Sequence, residues 1–234
     1  MKKSVFFISC LIVAAGAAAV YFLYLNPART LLRSKNVIAF IRNPQDHQEW
    51  IIPAGASCAN APFSMPTTGF IGYLWGDTFN PPHQHQGIDI FSGAEAGVTE
   101  VYAAYDGYLT RLSDWKSSLI IRIPDDPLLP GRQIWTYYTH MADTEGHSLI
   151  AEAFPPGTHE VFVKAGTYLG NMGNYSGTPG NPTGVHLHFS IVKDDGTGKF
   201  LNELEIGNTL DPSPYFNLPL NANTTAEEIP LCLP

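Results

Sequence analysis

Basic charge, cysteine and helical periodicity are all scarce in this 234-residue chain. Thirteen Lys plus Arg stand against 21 Asp plus Glu, for a net charge of −8. No basic stripe or aromatic-basic interleaving occurs, and without clustered cations nucleic acid is excluded as a partner. Gly170, Gly173, Gly177 and Gly180 have no adjacent Lys-Ser/Thr pair, so there is no phosphate-cradling loop. They read as a long loop entering a strand. No internal repeat is evident. Of three cysteines, Cys10 falls in an apolar run, which leaves Cys58 and Cys232. In an oxidising compartment these two are expected to pair and tie the C-terminal tail to the domain entrance; the alternative is two unrelated thiols.

Charge is also missing from Ser4 to Leu25, directly after Met1-Lys-Lys. A helix over this run would be about 33 Å long, enough to cross a bilayer core. The expectation is an N-terminal transmembrane helix, with Tyr21 and Tyr24 at the interface. Ala17-Ala-Ala19 keeps a cleaved signal sequence open as the alternative. Basic residues flank both ends, so orientation is not fixed by charge. An anchor would tether the remainder to a membrane, and a cleaved signal would export it.

Beyond this run, short strands recur between turn residues: Thr99–Ala103, Gly107–Leu112, Ser118–Ile123, Gln133–His140, His159–Val163 and Val185–Val192. The pattern predicts an all-β fold, a single antiparallel β-sheet or sandwich-type domain. The divisions are an anchor or signal (1–25), a juxtamembrane connector (26–61), a main β domain (62–217) and a tail (218–234) whose first part, to Thr225, reads as polar and flexible. Within the connector, Val37 to Phe40 and Trp50 to Ile52 are candidates to pack on the domain. Two loops, Asp125–Gly131 and Asn171–Thr183, are placed to wall a groove.

The chemistry concentrates in two histidine motifs about a hundred residues apart. The first is His85-Gln-Gly-Ile-Asp89; the second is His186-Leu-His188. Strand alternation from Gly184 to Val192 sends Val185, Leu187, Phe189 and Ile191 to the core and His186, His188 and Ser190 to the other face. The same alternation predicts a common face for Tyr138 and His140. Imidazole and carboxylate are ordinary zinc ligands, and a catalytic zinc takes three of them and keeps an open position. These motifs fill three positions with a histidine to spare. His83 competes with His85, but only His85 has the three-residue spacing to Asp89. His47, His147 and His159 lie outside any motif and read as surface residues.

These motifs, with Pro66-Thr-Thr-Gly69, Tyr138-Thr-His140-Met141 and Val163-Lys-Ala-Gly-Thr-Tyr-Leu-Gly170, resemble the lysostaphin/LytM-type zinc metalloendopeptidases, which are bacterial peptidoglycan hydrolases. The resemblance runs from about Pro66 to about Tyr215. Position by position, it implies that His85, Asp89 and His188 bind Zn2+ in a groove. It further implies that His140 and His186 are catalytic without binding the metal. All five residues are present, so the expected function is zinc-dependent hydrolysis of peptide bonds in peptidoglycan stem peptides or crosslinks. The alternatives are an exported, latent or non-catalytic activator of other hydrolases and a zinc peptidase acting on proteins. The expected partners are peptidoglycan peptides and the membrane; oligomeric state is not legible.

Overall fold

The computed structural model describes residue 16 and residues 26–79, 82–225 and 229–232. Among the described residues ten strands form: β1 (Phe70–Tyr73), β2 (Ile88–Phe91), β3 (Glu100–Tyr102), β4 (Gly107–Thr110), β5 (Leu119–Ile123), β6 (Ile134–Thr139), β7 (Val161–Val163), β8 (Tyr168–Asn171), β9 (Leu187–Lys193) and β10 (Thr209–Leu210). Eight build one antiparallel sheet in the order β1-β2-β9-β6-β5-β4-β7, with β10 also on β9; β3 and β8 make a separate ribbon. The architecture is antiparallel β, as the recurring short strands predict.

Two-residue alternation decides what each sheet face carries. Leu119, Ile121, Ile134, Tyr138, Leu187, Phe189 and Ile191 point to the main core, which is closed by Val101, Leu169 and Met172 from the ribbon side. Phe63, Met65 and the chain around Tyr215–Ala222 also enter that core. The tail segment expected to be polar and flexible therefore packs instead: Leu218, Leu220 and Ala222 are buried, and Trp75 pairs with Asn221. Its alternating apolar residues outweigh its asparagines. Cys58 and Cys232 form the disulfide, with Cα atoms 5.3 Å apart.

The opposite sheet face carries Ile120, Trp135, Tyr137 and Val192, covered by Trp115, Phe200 and Leu201. Beyond that aromatic cover the face opens into the groove described below.

The expected membrane-spanning helix falls on residues outside those described, apart from Gly16. Among the described residues no helix is long and apolar enough to cross a membrane. The connector does contain a helix, α1 (Asn26–Arg42), followed by a 3-10 turn at Pro44–Trp50. Its inward stripe is Thr30, Arg33, Val37 and Phe40, all buried at helical spacing. Half of that stripe is polar, which is why apolar periodicity does not reveal the helix. Val37 and Phe40 pack on Phe70 and Phe91, with Trp50 and Ile51 against the same cluster.

Candidate functional site

Strand register brings the two histidine motifs together. β2 pairs antiparallel with β9 so that Asp89 lies opposite His188, and β6 places Thr139 opposite His188 on the other side. Directly opposed residues on adjacent strands share a face. The close approach of β2 to β9 needs Gly87, because a Cβ there would lie 2.2 Å from the Phe189 carbonyl oxygen. His85 precedes β2 and folds back over the pair.

Three donor atoms converge. His85 Nε2 is 3.1 Å from Asp89 Oδ1 and 3.0 Å from His188 Nδ1, and His188 Nδ1 is 2.8 Å from Asp89 Oδ1. Among the described residues, these three form the His/Asp group compact enough to hold a metal ion. Donors around a tetrahedral zinc at about 2.0–2.1 Å lie roughly 3.3 Å from one another. The triangle needs to open by only a few tenths of an ångström, and its nitrogen and oxygen donors suit zinc. His83 is exposed and lies outside the triangle.

The backbone sets which ring nitrogen faces the site. A carbonyl oxygen can only accept, so an imidazole nitrogen bonded to one must carry the proton. His85 Nδ1 donates to the Leu74 carbonyl at 3.0 Å, so in the neutral ring Nε2 turns its lone pair toward the triangle. His186 Nδ1 donates to Gly184 at 2.7 Å, and His140 Nδ1 donates to Tyr175 at 2.7 Å. In the neutral form of each ring the lone pair is therefore on Nε2. The His140 and His186 rings stand 4.5 Å apart, His140 is 6.3 Å from His188, and His186 stacks on Phe91 at 5.0 Å.

His140 reaches this position by breaking the alternation. On a continued strand it would follow Tyr138 into the core, where Tyr138 is fully buried and accepts a hydrogen bond from the Ala104 amide. The expected common face for Tyr138 and His140 is therefore wrong. β6 ends at Thr139, and His140 adopts φ 70°, a left-handed conformation uncommon for a non-glycine residue. Such strain, roughly 1–3 kcal/mol, persists only where surroundings hold it. The surroundings are tight: a Cβ on Gly173 would lie 2.5 Å from the His140 carbonyl and 2.1 Å from that of Ala142.

Burial and charge set the protonation of the group. Burial works to raise the Asp89 carboxyl, but the His85 and His186 imidazoles and hydrogen bonds from His188 and His85 hold it well below the usual range. Burial lowers His188. For His85, burial is outweighed by Asp89 and the Leu74 carbonyl, and the imidazole is raised. Burial and then the neighbouring His186 push His140 down to about 4, so it is neutral at physiological pH.

The groove has a volume of about 470 Å³. Its floor is a row of hydroxyls from Ser117, Ser118, Tyr137 and Thr139, with Tyr137 donating to Ser118 at 3.0 Å. One wall is Tyr175, Ser176 and Gly177, from the loop expected there. The Asp125–Gly131 loop does not line it; Asp126 is buried elsewhere, accepting hydrogen bonds from Tyr215 and Arg132. The second wall is Glu203 and Leu204, from a loop the sequence motifs do not flag. Among the described residues, neither 26–61 nor the tail lines the cavity. His147 and His159 are exposed, and His47 stacks on Trp50.

Residues missed by motif reading support the donors from behind. Asp77 is fully buried and accepts from Arg33 Nε at 2.8 and 2.9 Å, from Thr30 at 2.9 Å and from the Leu74 amide at 2.8 Å. The Asp77 carbonyl accepts the His85 amide at 2.7 Å. Helix α1 thus grips the turn that holds His85.

No protein-family model matches the chain, and no curated protein does. Solved structures do. Helicobacter pylori Csd3 matches at 22% identity and TM-score 0.37, over 60% of this chain and 33% of that one. A candidate glycyl-glycine endopeptidase, LytM, from Ruminococcus gnavus matches at 26% and 0.38, over 56% and 45%. The catalytic domain of the prophage-encoded M23 protein EnpA from Enterococcus faecalis matches at 22% and 0.38, over 65% and 98%. The chain resembles the LytM-type, or M23, peptidases. It spans a third of the Csd3 chain and under half of the Ruminococcus LytM-type protein. At TM-scores of 0.37 to 0.38 the overlays assign no residue a role, so the donor geometry stands on its own.

Proposed function

We propose that the chain is an exported zinc endopeptidase that hydrolyses peptide bonds in peptidoglycan stem peptides or crosslinks. One observation carries the reading: three metal-type donors and two imidazoles oriented through Nδ1 by backbone carbonyls line one open groove with a row of hydroxyls. His85 Nε2, Asp89 Oδ1 and His188 Nδ1 would hold the ion. When bound, zinc supplies Lewis-acid polarisation of the scissile carbonyl and a water acidified toward about pKa 7.

The remaining chemistry belongs to the histidines. Hydrolysis forms one C–O bond, breaks the C–N bond and moves a proton from water to the departing amine. His140 is neutral at physiological pH, and its Nε2 can take that proton; the Tyr175 carbonyl fixes the ring so that Nδ1 does not compete. His186 has its Nδ1 proton held by the Gly184 carbonyl, so its Nε2, 3.7 Å from Asp89 Oδ1, is a second proton acceptor that can relay the proton to the leaving amine. The hydroxyl row of the floor can orient an extended peptide. Export and tethering by the apolar run 4–25 complete the proposal.

The test is release of muropeptides from purified peptidoglycan by the zinc-loaded protein, the chelated protein and His188→Ala. Zinc-dependent cleavage lost in the variant sustains the proposal. Metal binding without cleavage overturns it in favour of an activator, and cleavage of unrelated peptides alone favours a protein peptidase.

A further inference from the structure

The groove is unevenly charged. Among the described residues lining it there is no lysine or arginine, and apart from Asp89 the one carboxylate is Glu203. Asp89 is committed to the donor triangle. Glu203 is not: it lines the groove facing the Tyr137 hydroxyl.

The loop presenting Glu203 is built, not trailing. Its entry is pinned by Phe200, whose ring packs 5.5 Å from Trp135 and 5.8 Å from Trp115, and by the Leu201 amide donating to Lys193. Its exit is pinned beside the metal-type donors, where Gln86 Nε2 donates to the Leu204 carbonyl at 2.8 Å. Asn208 Nδ2 closes the base by donating to the Asn202 carbonyl at 3.0 Å. A half-buried carboxylate held over a hydroxyl floor, with no lysine or arginine among the described lining residues to pair with it, repels acidic groups and accepts cationic donors.

We propose that Glu203 is a specificity residue that selects substrates carrying a free primary amine, as on a diamino-acid side chain, beside the scissile bond. The inference rests on the endopeptidase reading of the groove and names the substrate class within it. An ammonium on Glu203 gains a charge-assisted hydrogen bond, which favours the amine-bearing substrate roughly 10- to 100-fold over its neutral counterpart. The hydroxyls of Ser118, Tyr137 and Thr139 then serve the peptide backbone, since they discriminate no charge.

The experiment uses two peptides of alternating L- and D-residues, identical except that a lysine side chain beside the scissile bond is free in one and Nε-acetylated in the other. The ratio of their kcat/KM values is measured for the full protein and for Glu203→Gln. The expected result is a ratio of about ten or more in favour of the free amine, falling to about one in the variant, with the loss in KM more than in kcat. A wild-type ratio near one, or a preference that survives Glu203→Gln, overturns the assignment. If neither peptide is cut, the endopeptidase reading fails by itself, and calorimetric titration of the same peptides decides the amine preference. Equal affinities overturn it; tighter binding of the free amine, lost in Glu203→Gln, upholds it.

Discussion

Replacing Arg33 with Met should damage the candidate metal site without touching it. Both side chains of the Arg33–Asp77 pair are fully buried, so removing the guanidinium strands a carboxylate with only the Thr30 hydroxyl and the Leu74 amide as donors among its partners described above. Breaking a buried pair from one side costs about 3–5 kcal/mol. For a protein of this size each kcal/mol is worth roughly 2–4 °C in Tm, so the loss should be roughly 6–20 °C. A second effect should appear in metal affinity. Leu74 lends its amide to Asp77 and its carbonyl to His85 Nδ1, so an Asp77 that moves releases the ring it helps to orient. Loss of a hydrogen bond that orients a metal-binding histidine typically costs 10–100-fold in affinity. Thermal melts of the chelated protein read the first effect, and competition for zinc against a chromophoric chelator reads the second. The double variant Arg33→Met with Asp77→Leu should recover part of the stability, because no unpaired charge remains, but not the affinity. A single variant within about 3 °C of wild type and with unchanged zinc affinity would refute the coupling.

Three further outcomes follow from the same geometry. His188→Ala and Asp89→Ala should each lose zinc binding, whereas His140→Ala and His186→Ala should keep it and lose activity about 100-fold or more; zinc titration beside a turnover assay separates the pairs. In the chelated protein, His140 drops from an ordinary value near 6.5 to about 4 on folding, so the unfolded chain binds more protons between those values and stability falls as pH is lowered through that window. Urea melts at pH 7 and pH 5 should show a smaller loss for His140→Gln than for wild type, and equal losses would contradict the buried, neutral ring. Opening the Cys58–Cys232 disulfide, which closes 174 residues, should destabilise by about 5 kcal/mol in the chain-entropy model; melts with and without reductant measure it.

Helix α1 links these results. Its polar half grips Asp77, behind His85, and its apolar half packs on Phe70 and Phe91, the latter stacked on His186. A segment read as a connector therefore backs the site from two directions, and truncation to residue 62 would remove both supports.

His85, Asp89, His186 and His188 are legible as candidates because their two motifs are local, whereas His140 joins them only through the family resemblance. The His85–Asp89 spacing spans a single turn into β2, and the alternation around His186 and His188 is fixed by the pleat, so their faces follow from sequence alone. Alternation failed at His140, because a left-handed residue at a strand end reverses direction without any compositional mark. What only the tertiary structure decided are contacts between segments far apart in the chain: Arg33 with Asp77 across 44 positions, Gln86 with Leu204 across 118, and the choice of the Glu203 loop over Asp125–Gly131 as a groove wall. Periodicity reports which face a residue takes within its own element. Which elements meet is set by sheet order and by burial of polar pairs, and neither leaves a pattern in the local sequence.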